Sequence, residues 1–192
     1  NDVAFRTTFT GIEFARIPIP CRRDRYTVTE GPDAGWPTPE PPHRINQIYL
    51  EPILFEKADV IPKISIHCRS QFIDLEQNST GVVASIRDLE SGDIHRVVCE
   101  YLIGCDGGSS AVRKNIGSRF NGDAILQRCQ SSFIHSAKLI DLQQENRAWS
   151  TIALTPRRSG NVYAIDGKSL WIVHNYLRED ETDFESVDRD NS

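Results

Sequence analysis

Residues 101–113 read YLIGCDGGSSAVR, Tyr101 to Arg113, and the fold turns on how this stretch is understood. Together with the residues before it, VVCEYLIG (97–104) is apolar almost throughout, the pattern of a strand covered on both faces, as parallel strands in α/β folds are. The chain then enters CDGGSS, and AVRKNIG (111–117) reads as a short helix closed by Gly117. A strand, a glycine turn and a helix in that order form the chemical centre of the sequence.

At Asp106, Gly107 and Gly108 the missing Cβ atoms let the backbone approach a ligand, while Ser109 and Ser110 are suited to cap the following helix. The positive helix end and Arg113 favour phosphate oxygens, and the Asp106 carboxylate is able to accept hydrogen bonds from sugar or ribityl hydroxyls. By composition alone, Gly-Gly-Ser-Ser after a strand is more often an ordinary turn. The residues themselves leave both readings open.

Working outward, four short β-type runs precede the motif: KISIHCR (63–69), SQFIDLEQ (70–77), GVVASIRDL (81–89) and DIHRVVCEYLIG (93–104). Turn chemistry at 78–81 and at Ser91-Gly92-Asp93 separates the runs, and their order predicts an antiparallel meander of the four. Asn78-Ser79-Thr80 fits a glycosylation sequon but reads as a hairpin turn. Upstream of these, INQIYLEPILFEKA (45–58) places Ile45, Ile48, Leu50, Ile53, Leu54 and Ala58 near one face at helical spacing, with Pro52 early in the helix or kinking it. Prolines crowd residues 32–42 and mark an extended connection, and the opening VAFRTTFTGIEFARIPI (3–19) alternates about Gly11 as a hairpin.

Downstream, QRCQSSFIHSAKL, STIALT, NVYAID and SLWIVHNYL read as strands of a second sheet, with Asp166-Gly167 as a two-residue hairpin turn. In the last run, alternation puts Trp171, Val173, Asn175 and Leu177 on one face and Leu170, Ile172, His174 and Tyr176 on the other. Either face could be the core.

Bulk properties exclude several classes of function. The 192 residues, 39% hydrophobic and 26% charged, suit a globular protein rather than a disordered one. A formal net charge of -5 argues against nucleic acid as a partner, since phosphates call for clustered Lys and Arg. The late acidic run REDETDFESVDRD (178–190) reads as a solvated edge. Five cysteines, Cys21, Cys68, Cys99, Cys105 and Cys129, form no C-x-x-C pair, which fits a reducing compartment, and five scattered histidines predict no metal site. No stretch has the apolar length of a membrane span, and the expected location is the cytoplasm.

Resemblance narrows the reading of the glycine turn. YLIGCDGGSSAVR resembles the Asp-Gly motif of the class A FAD-dependent aromatic monooxygenases, the group that includes p-hydroxybenzoate hydroxylase and phenol hydroxylase, and matches it at Asp106, Gly107, Ser110 and Arg113. Within WPTPEPPHRINQIYLEPIL (36–54), HRINQIYLEPIL resembles the segment leading into a helix that begins beside the flavin, with Gln47 at the cofactor-contacting glutamine and Arg44 in support or simply on the surface. NGDAILQRCQSSF, TPRRSGNVYAIDG and WIVHNYL resemble the substrate-domain sheet.

The resemblance implies an α/β fold of mixed α+β character: part of an FAD-binding Rossmann-like domain with a β-meander, plus part of an antiparallel-sheet substrate domain. Residues 1–42 would supply substrate-domain strands and a linker, 43–119 the cofactor part, and 120–192 the substrate-domain sheet. It implies FAD reduced by NADPH or NADH, an aromatic and phenolic small-molecule substrate, O2, and no required catalytic acid or base. Gln47, Arg44, Asp106, Gly107 and Arg113 become candidate cofactor residues. His174 and Tyr176 are candidate substrate contacts, with a hydrogen-bonded structural role as the alternative for His174.

The sequence holds no G-x-G-x-x-G after an N-terminal strand and no later Gly-Asp segment, both family signatures. With no methionine and a start at Asn1, it reads as part of something longer, so the 192 residues alone are not expected to hold FAD tightly or turn over. Missing strands would leave a sheet edge open to a second chain, and a homodimer is one way to close it. Other chemistry on the same fold, such as halogenation or epoxidation, and a non-catalytic binding module remain the rival functions.

Overall fold

The computed structural model describes residues 2–123, 125–143 and 146–181. In chain order its elements are β1 (Val3–Arg6), β2 (Glu13–Ile17), α1 (Gln47–Asp59), β3 (Ser70–Asn78), β4 (Gly81–Asp88), β5 (Ile94–Cys99), α2 (Ala111–Asn115), β6 (Cys129–His135), α3 (Leu139–Leu142), β7 (Ser150–Ala153), β8 (Gly160–Ala164) and β9 (Leu170–Tyr176). They fall into two compact units, Asn1–Asn46 with Ile125–Ser192, and Gln47–Ala124. The acidic run beyond Glu181 lies outside the described residues.

The first unit is built on a sheet of order β2-β1-β7-β8-β9-β6. Its pairings are antiparallel except β1 with β7, which run parallel. The opening hairpin about Gly11 forms as expected, and so does the β8-β9 hairpin. There the Asp166 carboxylate accepts the backbone N–H groups of Lys168, Ser169 and Leu170, each at 2.9 Å, and Gly167 supplies the positive φ of 68°. Those three donors stabilise the carboxylate, with Leu170 first, and hold its pKa down at about 2.

The sheet buries the face carrying Ala4, Thr151, Ala164 and Trp171. Trp171 is completely enclosed: its Nε1 donates to Ser136 O at 2.9 Å, and the Phe9 ring meets it edge-on at 6.0 Å. This settles the two-face ambiguity of SLWIVHNYL in favour of Trp171 and Leu177 as core, leaving His174 and Tyr176 on the opposite, half-buried side. At one end of the same face, buried Arg6 pairs with Glu13 at 2.9 Å, and Arg16 bridges Glu13 at 2.7 Å and Asp2 at 2.8 Å. The charge on Arg6 is thereby matched where solvent does not reach it.

The second unit contains the antiparallel meander β3-β4-β5, with Val82 and Ala84 of β4 buried and α2 against β3. The Asn78 side chain closes the β3-β4 turn by accepting from Thr80 N at 2.8 Å, so the sequon residues do form a hairpin turn. Gly92, with φ 82°, serves the turn into β5.

Three expectations fail here. KISIHCR is not a strand: residues 63–69 lie outside the ladder and end at Arg69 with φ 52°, a turn conformation. DIHRVVCEYLIG is not one buried strand, because pairing stops at Cys99. Residues 100–104 pair with no described strand, and Tyr101 and Ile103 stand 83% and 81% exposed. Helix α1 forms with Pro52 inside it, but the expected face of Ile48, Leu50, Ile53, Leu54 and Ala58, with Ile45 just before the helix, buries nothing. Apolar residues run consecutively at Ile48-Tyr49-Leu50 and Ile53-Leu54-Phe55, so at 100° per residue they circle the axis instead of forming a stripe.

Candidate functional site

The glycine turn is organised from within. Asp106 accepts the Ser110 hydroxyl at 2.5 Å on Oδ1 and the amides of Ala111 and Val112 at 2.6 and 3.2 Å on Oδ2. Ser110, itself buried, accepts Arg113 N at 3.0 Å and is the N-cap of α2. Donors converging on the anion, the Ser110 hydroxyl foremost, lower the Asp106 pKa and keep it ionised. Gly107 has φ 77°, a conformation glycine adopts without cost, and Gly117 ends the helix at φ 72° as expected. With only five residues, α2 contributes little dipole, so the turn's own N–H groups matter more than the helix end.

Sequence reasoning missed Gly104. A Cβ at this position would lie 2.7 Å from Val112 Cβ and 3.2 Å from Asp106 Oδ1, so only hydrogen lets the segment pass this close to α2. The signal was in the sequence: a third glycine three residues before Gly107, on the near side of the turn. Added Cβ atoms at Gly107 and Gly108, by contrast, meet nothing within 4 Å. The turn is therefore tight on its inner side and open on its outer side, which suits close approach of a ligand to bare backbone.

Arg113, the motif's cation, holds its guanidinium 4.2 Å above the Phe120 ring, with Nη1 buried and without a hydrogen-bond partner. It lines a cavity of about 410 Å³ together with Gly104, Ser110, Val112, Leu75 and Val82. Gln47 opens α1 and donates from Nε2 to Glu51. Arg44 pairs with Asp33 in the proline-rich connection, and this contact lowers the Asp33 pKa. Asp106, Gly107 and Arg113 are thus brought together by one turn, whereas Gln47 and Arg44 stand on other segments with partners of their own.

In the other unit, His174 Nδ1 lies 2.7 Å from Ser131 Oγ, and the Tyr163 ring is edge-on to His174 at 5.4 Å and to Trp149 at 5.3 Å. Burial, more than the neighbouring Tyr163, pushes the Tyr176 phenol up. Ser131, Asn161 and Tyr163 were not singled out by sequence: Ser131 meets His174 only through pairing of β6 with the distant β9, and the faces of Asn161 and Tyr163 depend on the register of the β8-β9 hairpin.

The FAD binding domain family matches residues 23–191. The chain belongs to that family. An FAD-dependent monooxygenase of Penicillium oxalicum, opdD, is 28% identical over 143 residues, covering 71% of this chain and 27% of that protein. A 2,4-dichlorophenol 6-monooxygenase of Cupriavidus pinatubonensis is 33% identical over 76 residues, covering 40% of this chain and 12% of that protein. The flavin-dependent monooxygenase PieE, solved in complex with FAD and substrate, shares the fold with a TM-score of 0.76 at 24% identity, covering 97% of this chain and 33% of PieE. The chain thus spans roughly a quarter to a third of the relatives it matches over most of its length.

As a candidate site for FAD, the turn fits on two counts: the outer side of Gly107 and Gly108 is open, and the Arg113 Nη1 is an unpartnered donor. Asp106 has three of its roughly four acceptor positions filled by its own loop. Its first effect is to hold the turn in shape, with at most one lone pair left for a cofactor hydroxyl. Among the described residues no three His, Cys, Asp or Glu side chains group to hold a metal ion, and no helix is long and apolar enough to cross a membrane.

Proposed function

We propose that the protein to which this chain belongs is a cytoplasmic FAD-dependent monooxygenase that inserts one oxygen atom of O2 into an aromatic, phenolic ring, with NADPH or NADH as reductant. The observation that carries this reading is the Asp106-Gly107-Gly108 turn, closed inside by Gly104 against Val112, open outside, and set in a chain of the FAD-binding family. Oxygen activation and hydride acceptance are what FAD supplies when bound. The residues of this chain bind and orient. Gly107 and Gly108 would offer bare backbone to the cofactor, Asp106 would fix the turn and accept from a cofactor hydroxyl, and Arg113 would organise the loop or meet the nicotinamide nucleotide.

Residues 43–119 take the cofactor role in this proposal, with Gln47 at the start of α1 and Arg44 just before it as further contacts. Residues 1–42 and 120–192 take the substrate role, with His174 and Tyr176 on the sheet face that the Trp171 core leaves free. All five cysteines are free thiols, in keeping with a cytoplasmic setting.

Asp106→Ala in the full-length protein tests the cofactor assignment. Loss of the carboxylate that accepts from Ser110, Ala111 and Val112 is expected to lower the flavin retained after purification or slow its reduction by NAD(P)H. Unchanged flavin content together with an unchanged reduction rate removes Asp106 from the site.

A further inference from the structure

Of the nine asparagines in the sequence, Asn121 alone is followed by glycine. An asparagine amide is thermolabile because the backbone nitrogen of the next residue is able to attack its side-chain carbonyl and close an imide ring. A side chain on that next residue hinders the approach, and glycine removes the hindrance. The fold then decides whether the amide is free and whether water reaches it.

Asn121 and Gly122 are exposed and lie in the irregular segment between α2 and β6, outside any helix or strand ladder. The Asn121 side chain has no hydrogen bond to a described residue. Gly122 has φ 111°, and a Cβ built there meets nothing within 4 Å, so the space around the attacking nitrogen is open. Other asparagines are tied down: Asn46 donates to Ile165 O at 3.0 Å, Asn115 to Ala111 O at 3.1 Å, and Asn161, 8% exposed, to Tyr163 Oη at 3.1 Å. Asn78 accepts from Thr80 N at 2.8 Å. The two Asp-Gly steps at Asp106 and Asp166 are protected differently. Both carboxylates accept hydrogen bonds from their own turns and are held ionised, Asp166 with a pKa of about 2, and an anion is a poor target for a nucleophile.

We propose that Asn121 is a site of spontaneous deamidation through a succinimide ring in the folded protein. The Gly122 nitrogen bonds to Asn121 Cγ, the Cγ–Nδ2 bond breaks, and the Gly122 amide proton leaves with the ammonia. Water then adds across one of the two ring C–N bonds. Opening at Cγ restores the ordinary backbone as aspartate, whereas opening at the backbone carbonyl leaves the chain running through Cβ as isoaspartate. Nothing is oxidised or reduced, and water is the sole co-reactant. Either product replaces a neutral amide with a carboxylate on the residue next to Phe120, whose ring lies 4.2 Å from the Arg113 guanidinium. Ageing therefore adds a negative charge next in sequence to the ring that carries the motif's cation.

The test incubates the full-length protein at neutral and at mildly alkaline pH. Samples are digested briefly with trypsin under mildly acidic conditions, and the peptide 120–128, FNGDAILQR, is followed by mass spectrometry. The amide-to-acid mass change at Asn121 should grow with first-order kinetics, faster at the higher pH because the attacking nitrogen must shed its proton. Isoaspartate and aspartate should both form, with Asn121→Asp marking the elution of the second. Asn121→Gln, which would need a larger ring, should keep its amide over the same period. A chemically unfolded sample supplies the rate of the unconstrained chain. A folded protein that keeps the Asn121 amide while the unfolded sample converts overturns the proposal, and so does an absence of conversion in both. Loss of the Asn46 or Asn161 amide at the same rate as that of Asn121 contradicts the selection by the fold, and aspartate without isoaspartate contradicts the ring route.

Discussion

Gly104→Ala probes the inner side of the turn. The added methyl would sit 2.7 Å from Val112 Cβ and 2.8 Å from its Cγ1, whereas carbon atoms rest comfortably at about 3.5–4.0 Å. Either α2 or the segment before the turn must yield by about 1 Å, and overpacking of this kind costs ~1–3 kcal/mol. Against it stands a gain of ~0.4–1 kcal/mol, because alanine narrows the unfolded ensemble and the backbone at this position is not in the left-handed region. The clash wins by ~1–2 kcal/mol. For a chain of this size that is a fall of ~2–8 °C in Tm, to be read by thermal unfolding at fixed protein concentration. Gly108→Ala is the internal control, since its methyl meets nothing within 4 Å; there only the unfolded-state gain acts, and Tm should hold or rise. A Gly104→Ala protein as stable as the parent, or an equal loss in Gly108→Ala, would refute the packing argument.

Acid should weaken the Arg6-Glu13-Arg16 corner. Arg16, then Arg6, holds the Glu13 pKa at about 2 against an ordinary 4.5, so the folded state binds fewer protons than the unfolded state between those values. Stability from this group is complete above pH 4.5 and is lost as pH falls towards 2, and Glu13→Gln should flatten that part of the stability-pH curve; an unchanged slope counts against the network. Separately, the isolated 192 residues, which contain no G-x-G-x-x-G to hold a pyrophosphate, should bind FAD more weakly than about 1 µM, roughly 8 kcal/mol. Equilibrium titration giving submicromolar affinity would show that the turn alone suffices.

Local chemistry in this protein was legible where neighbouring residues decide it. The Asn78 and Asp166 turns, the Ser110 cap and the Gly117 stop are each set by residues within four positions of one another, the hairpin about Gly11 closes between Arg6 and Glu13, and each forms. Alternation in SLWIVHNYL separated two faces but could not rank them, because Trp171 becomes core only through Phe9 and Ser136, which come from elsewhere in the chain. The apolar run ending at Gly104 misled for a related reason. Its composition registers a demand for burial on both sides, yet strand assignment needs ladder partners, and among the described residues none pairs with the segment after Cys99. Helix α1 carries the same demand, with apolar residues all round and none of them buried. At the candidate site, Asp106, Gly107 and Arg113 were singled out by the resemblance of their motif, whereas Gly104 needed the distance to Val112, and Ser131, Asn161 and Tyr163 needed strand register.

Hydrogen exchange of residues 104–113, followed in the full-length protein with and without FAD, tests the central claim most directly. Bare amides around Gly107 and Gly108 that meet the cofactor should exchange markedly more slowly in the FAD-loaded state, with the β8-β9 turn at Asp166 as an unaffected reference. Identical exchange across 104–113 in the two states would mean that the open side of this turn faces something other than the flavin nucleotide.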